Sequence, residues 1–107
     1  MILALVAAVA MNGWACHLET KDDLSVILEP MRKITVHGSI LEDDFDGPWK
    51  IVSGSNSTVI AIRLDNKAPA SISTLVLDTR TLKIIETTSQ ANSDAPVSYA
   101  HGQCVAL

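Results

Sequence analysis

Two short stretches at opposite ends of the chain hold residues that could do coordination or redox chemistry. Cys16-His17 stands near the start, and His101-Gly102-Gln103-Cys104 near the end. Imidazole suits copper and zinc, and a thiol adds soft-metal or disulfide chemistry. If Cys16 and Cys104 face each other across an antiparallel pair, His17 and His101 fall on the opposite face as diagonal neighbours, roughly 7 Å apart. That is the geometry of a two-imidazole metal site. Tyr99 shares the strand face of His101, so the same face would also suit a core, with both histidines as ordinary strand residues. His37 has no evident route to this pair.

The second chemistry-bearing stretch is acidic. Glu42-Asp43-Asp44-Phe45-Asp46-Gly47 resembles the opening of an EF-hand loop, with acidic residues at positions 1, 3 and 5 and glycine at 6. Position 12 is Ser53, where that loop needs a bidentate glutamate, and no flanking helices are indicated. The alternative is a solvated acidic turn that blunts a strand edge and offers Glu42, Asp43, Asp44 and Asp46 to a basic partner or a cation. Nucleophile chemistry has no signature: Ser53, Ser55 and Ser57 lie in a turn, without a Gly-x-Ser-x-Gly elbow. A paired-carboxylate hydrolase leaves no sequential trace and stays a third class. Asn56-Ser57-Thr58 matches the N-glycosylation acceptor, which matters only in a eukaryote.

The frame that must position these residues is short. All 8 Lys+Arg and all 12 Asp+Glu of the 107 residues follow Cys16, and the net charge is -4. Ile2–Met11 is an unbroken apolar run. Ten such residues suit the core of a signal peptide and fall short of the roughly 20 that span a bilayer. Gly13 and Ala15 supply small residues for a peptidase, so the expected division is a signal peptide over 1–15 and one domain over 16–107. The leader lacks the usual Lys or Arg, which leaves room for a true start upstream of Met1. The expected location is periplasmic or secreted, with no transmembrane span in the mature form. A cysteine directly after the cut also raises a lipid-anchored alternative through Cys16, although Gly13 and Trp14 depart from a lipobox.

In an exported chain two cysteines are most simply one disulfide, Cys16–Cys104. The competing readings are a lipidated Cys16 with a free Cys104, or a Cys/His metal site. Acidity argues against nucleic acid, whose phosphates need a basic face, and against anionic membrane surfaces. Aromatic residues in the body are confined to Phe45, Trp49 and Tyr99, so the core must come from Ile, Leu and Val.

Strand signals recur about every ten residues. Period-two alternation marks 33–40 and 58–65, with Ile60, Ile62 and Leu64 sharing a face. A short strand is expected at 49–53, between the acidic turn 42–48 and a turn at 54–57. Residues 71–77 and 82–87 form a hairpin around Asp78-Thr79-Arg80-Thr81, whose side chains can bond the turn backbone. Residues 97–105 make a last strand, and 24–28 another strand or a short helix. The fold class is therefore all-β: a small antiparallel meander, closed as a barrel or folded as a sandwich, after the signal peptide.

The ending Tyr99-x-x-Gly102-x-Cys104, with a cysteine after the leader and the stretch from Asp46-Gly47-Pro48-Trp49 to Thr88, resembles a loose group of short exported bacterial proteins. Small periplasmic inhibitors of lysozymes or proteases are similar in size and disulfide plan. The resemblance implies export but carries no activity and no cofactor. The resulting expectation is a non-catalytic binding or accessory module, inhibitor-like, acting on a protein partner through the acidic loop and the turn 54–58. The alternative is a periplasmic metal-handling protein using His17 and His101.

Overall fold

A computed structural model describes residues 12–22, 25–28, 31–44, 47–54, 57–94 and 98–107. The apolar run 1–11, which is most of the expected signal peptide 1–15, lies outside them, as do Leu24, Phe45, Asp46 and Asn56. The described residues form nine strands and no helix: β1 (Asn12–Asp22), β2 (Ser25–Leu28), β3 (Arg32–His37), β4 (Ile40–Asp43), β5 (Trp49–Gly54), β6 (Thr58–Asp65), β7 (Ser71–Asp78), β8 (Lys83–Gln90) and β9 (Ser98–Ala106).

Every pairing is antiparallel. The order β1-β3-β4-β5-β6-β7-β8-β9 closes on itself because β9 pairs back onto β1, giving an eight-stranded barrel. β2 prolongs β3: β1 pairs β3 over Asn12–Cys16 and β2 over Glu19–Asp22, along the same edge. The chain is all-β, as its alternation demands.

Local chemistry accounts for the strand ends. Asp78 turns β7 into β8: its Oδ1 accepts the N–H groups of Arg80 at 2.8 Å and Thr81 at 3.1 Å. Those two bonds hold its carboxyl below the usual range. The expected single strand 33–40 is instead two. Gly38, at φ 61°, and Ser39 make a tight turn between β3 and β4. A glycine with positive φ at the first central position is what a two-residue hairpin turn requires. The correction reverses the faces beyond the turn, so that Leu41 is buried and Ile40 is 40% exposed. It also moves Glu42 and Asp43 out of the expected acidic turn and into β4.

An eight-stranded barrel is just wide enough for side chains to fill it. Here the filling is Cys16, Leu18, Ile34, Leu41, Trp49, Val59, Ala61, Leu75, Leu77, Ile84, Ala100 and Cys104. The tight interior explains a reversal in β6. Val59 and the small Ala61 face inward, while Ile60 and Ile62 are only half-buried and Leu64 is 64% exposed. Among the described residues pairing already includes Asn12, upstream of the expected boundary at Cys16. Trp14 packs on the core, and Ala15 pairs with both Lys33 and Val105.

Candidate functional site

Cys16 and Cys104 are directly opposed on β1 and β9, disulfide-bonded and fully buried. Alternation then sends His17 and Glu19 outward from β1, and Tyr99, His101 and Gln103 outward from β9. His17 pairs with Gln103 and Glu19 with His101, so the two histidines are diagonal neighbours. With Lys83 and Ile85 of β8 these side chains line a concave outer face enclosing about 760 Å³. The face is not a core, contrary to what Tyr99 could suggest: Tyr99 is 42% and Ile85 41% exposed. The Tyr99 and His101 rings lie 5.7 Å apart, and Gln103 Nε2 donates to the Thr81 carbonyl at 2.9 Å. The β1 backbone passes so near Gly102 that a Cβ there would lie 1.9 Å from the His17 carbonyl oxygen. Among the described residues, no three His, Cys, Asp or Glu side chains converge to hold a metal ion.

The acidic stretch is divided by the fold. Glu42 is exposed on β4. Asp43 points into the barrel, where its side chain is fully buried against Arg32. Asp44 Oδ1 accepts the Lys33 N–H at 2.8 Å, and Asp46 lies outside the described residues. Asp43 is therefore engaged inside the barrel and is not a contact for an external partner. Of the expected turn 54–58, Ser57 accepts the Thr79 N–H at 2.9 Å through its carbonyl.

The interior carries the feature that sequence reading missed. The Arg32 guanidinium bonds two carboxylates at once. Nε donates to Asp43 Oδ2 at 3.1 Å, and Nη2 also bonds that oxygen. Nη1 and Nη2 donate to Glu86 Oε2 and Oε1 at 3.2 and 3.1 Å. Burial alone would discourage the charge on Arg32, but the hydrogen bonds to Asp43 and then Glu86 outweigh it and raise its pKa. The guanidinium therefore stays charged at any pH a protein meets. Such a cluster repays its desolvation only when its polar atoms are satisfied, and paired fork-to-carboxylate geometry achieves that. The available signal was parity: Arg32 alternates with Ile34 and Val36 on the inward side of β3.

Near the same end, Ser73 is buried and shares a 2.8 Å hydroxyl–hydroxyl bond with Thr88. The Arg63 guanidinium lies 4.7 Å over the Trp49 ring, a cation–π contact. Trp49 is 1% exposed, and its Nε1–H has no acceptor among the described residues. A buried donor left so costs about 1–3 kcal/mol. No family model, no curated protein and no solved structure matches this chain.

Proposed function

We propose that this protein is an exported, non-catalytic binding module of the accessory or inhibitor-like kind, whose docking face is the outer surface of β8, β9 and β1. One observation carries the reading: His17, Glu19, Lys83, Ile85, Tyr99, His101 and Gln103 gather on a single concave face, directly over the disulfide. Rigid, partly apolar concavities with a few polar groups are where proteins bind their partners. The interior is consistent with the same view, since the core side chains and the disulfide pack within it. The expected site on the acidic loop keeps Glu42 and Asp44 as exposed carboxylates and loses Asp43, so it is the lesser face for a basic partner.

Export is part of the proposal, and the buried cysteine pair is consistent with an oxidising compartment. The pairing of Asn12–Ala15 in the sheet favours a mature start at or before Asn12. A lipid anchor on Cys16 conflicts with its place in the disulfide.

Photo-crosslinking in cells that make the protein tests the face. A benzoylphenylalanine at position 99 should give a discrete protein adduct that the double variant His17→Ala, His101→Ala abolishes. Adducts no stronger from position 99 than from position 72 on the outer face of β7 would refute it. The metal-handling reading rests on the diagonal histidines alone. Titration with copper and zinc should show binding tighter than about millimolar if two imidazoles suffice.

A further inference from the structure

The inward rows of β6, β7 and β8 change character along the barrel. Direct cross-strand neighbours run Val59-Leu77-Ile84, then Ala61-Leu75-Glu86, then Arg63-Ser73-Thr88, and finally Asp65-Ser71-Gln90 at the open end. The first row is apolar, and the last two hold only polar and charged side chains. With Gly47 and Leu64, the residues Arg63, Asp65, Ser71, Ser73 and Thr88 enclose about 370 Å³ at that mouth, apart from the outer docking face. The volume lies within the usual ligand range of roughly 300–1,000 Å³, and barrel mouths are a preferred place for small-molecule sites. An end that only sealed the core would be better served by apolar side chains, because each polar group in a recess needs a partner.

The hydrogen-bonding groups there select the occupant. Asp65 Oδ1 accepts the Lys67 N–H at 3.0 Å, and Oδ2 makes no bond among the described residues. The Ser71 hydroxyl likewise makes none among them. Ser73 and Thr88 share a hydroxyl–hydroxyl bond of 2.8 Å, which leaves a hydroxyl hydrogen and several lone pairs between them. Arg63 is already engaged and lies over Trp49, so it enters as a fixed positive charge and not as a free donor. Asp65 therefore discourages an anion, and Arg63 a cation. What fits is a neutral molecule that both donates and accepts. Vicinal hydroxyls donate to a carboxylate oxygen and exchange bonds with hydroxyl side chains. Leu64, 64% exposed at the rim, offers a contact to their carbon skeleton. We propose that the barrel mouth binds a small neutral polyol, of the size of one sugar ring, through Asp65, Ser71, Ser73 and Thr88.

The test follows the amide NMR shifts of isotope-labelled protein titrated with glucose, mannose, galactose and glycerol. Cyclohexanol, acetate, methylammonium and glycine serve as comparison probes that lack the vicinal hydroxyls or carry charge. At least one polyol should shift the Gly47, Asp65, Ser71, Ser73 and Thr88 amides saturably, with Kd on the order of 1–10 mM for a ligand of that size. Each comparison probe should bind at least about tenfold more weakly. Asp65→Asn and Ser73→Ala should each weaken the polyol at least about fivefold. Asp65 is exposed, so its variant carries the test if Ser73→Ala fails to fold. No saturation by any polyol below about 100 mM, a comparison probe binding as tightly, or an unchanged Kd in Asp65→Asn would overturn the proposal.

Discussion

Arg32→Met is the substitution that probes the barrel interior most directly. It removes the cation from a site where the Asp43 side chain is fully buried and that of Glu86 only 13% exposed. Breaking a buried ion pair from one side costs about 3–5 kcal/mol. The structure suggests how that cost arises. A buried carboxylate left without its guanidinium escapes by taking up a proton. For an ordinary carboxyl of pKa ~3.9 this costs about 4 kcal/mol at pH 7 and about 1.5 kcal/mol at pH 5. Glu86, nearer the surface, can rehydrate and adds less. The loss is large against the 5–15 kcal/mol, roughly, that holds such a domain together. Urea denaturation under non-oxidising, non-reducing conditions, read by tryptophan fluorescence at pH 7 and pH 5, should show a penalty relative to wild type that shrinks by about 2 kcal/mol or more on acidification. The triple variant Arg32→Met, Asp43→Leu, Glu86→Leu should recover most of the loss, because no buried charge remains. A penalty below about 1 kcal/mol, one equal at both pH values, or a triple variant less stable than the single would refute the reasoning.

Replacing both cysteines by serine should cost about 4.5 kcal/mol by the chain-entropy account, given a separation of 88 residues, and is read from the shift in the urea midpoint. Gly102→Ala should destabilise by about 3 kcal/mol or more, because its Cβ would collide with the His17 carbonyl oxygen; an unchanged Tm would contradict the backbone approach described. The Asp78 carboxyl titrates below its ordinary value when folded. Its stabilisation is therefore present above about pH 4 and lost as pH falls through the folded value. The stability gap between wild type and Asp78→Asn should close on that acid limb, and a gap constant with pH would argue against the turn bonds. If the chain is exported as proposed, its intact mass in the extracytoplasmic fraction should correspond to a chain beginning at or before Asn12, and it should rise by about two daltons on reduction. A chain beginning at Cys16 would show that the Asn12–Ala15 pairing is dispensable.

What the sequence reveals and what it conceals follow from how far apart the cause and effect lie along the chain. β6 and the β7–β8 hairpin were legible because alternation and an Asp-Thr-Arg-Thr turn are local signals. The cysteine pairing was legible because only two candidates exist, and it placed the histidines correctly as diagonal neighbours. The β3–β4 hairpin was concealed because Gly38-Ser39 interrupts an otherwise continuous strand pattern by only two residues. Arg32, Asp43 and Glu86 could not be joined from sequence: Arg32 and Glu86 are 54 positions apart, and only the barrel's closure brings β3 and β8 to one interior. That interior also decides which face of β6 is buried. In a narrow barrel Ala61 fits where Ile60 or Ile62 would not, so the richer apolar face was turned to solvent. The Trp49–Arg63 contact has the same origin, since neither residue signals the other along the chain.

The closing seam of the barrel joins the first described strand to the last, and Leu107 even donates its N–H to the Gly13 carbonyl at 3.0 Å. A nascent chain can zip β3 through β8 by successive hairpins, each closing a short loop. β1 cannot find β9 until nearly the whole sequence has been delivered, because contacts of such separation carry the full loop-closure cost. During that interval β1 and β8 each present an unsatisfied strand edge, which is a template for association with other chains. Oxidation of Cys16 and Cys104 at the centre of the seam ends the interval. If the chain folds in an oxidising compartment, as proposed, the yield of soluble protein should track oxidant supply more than the intrinsic rate of hairpin formation.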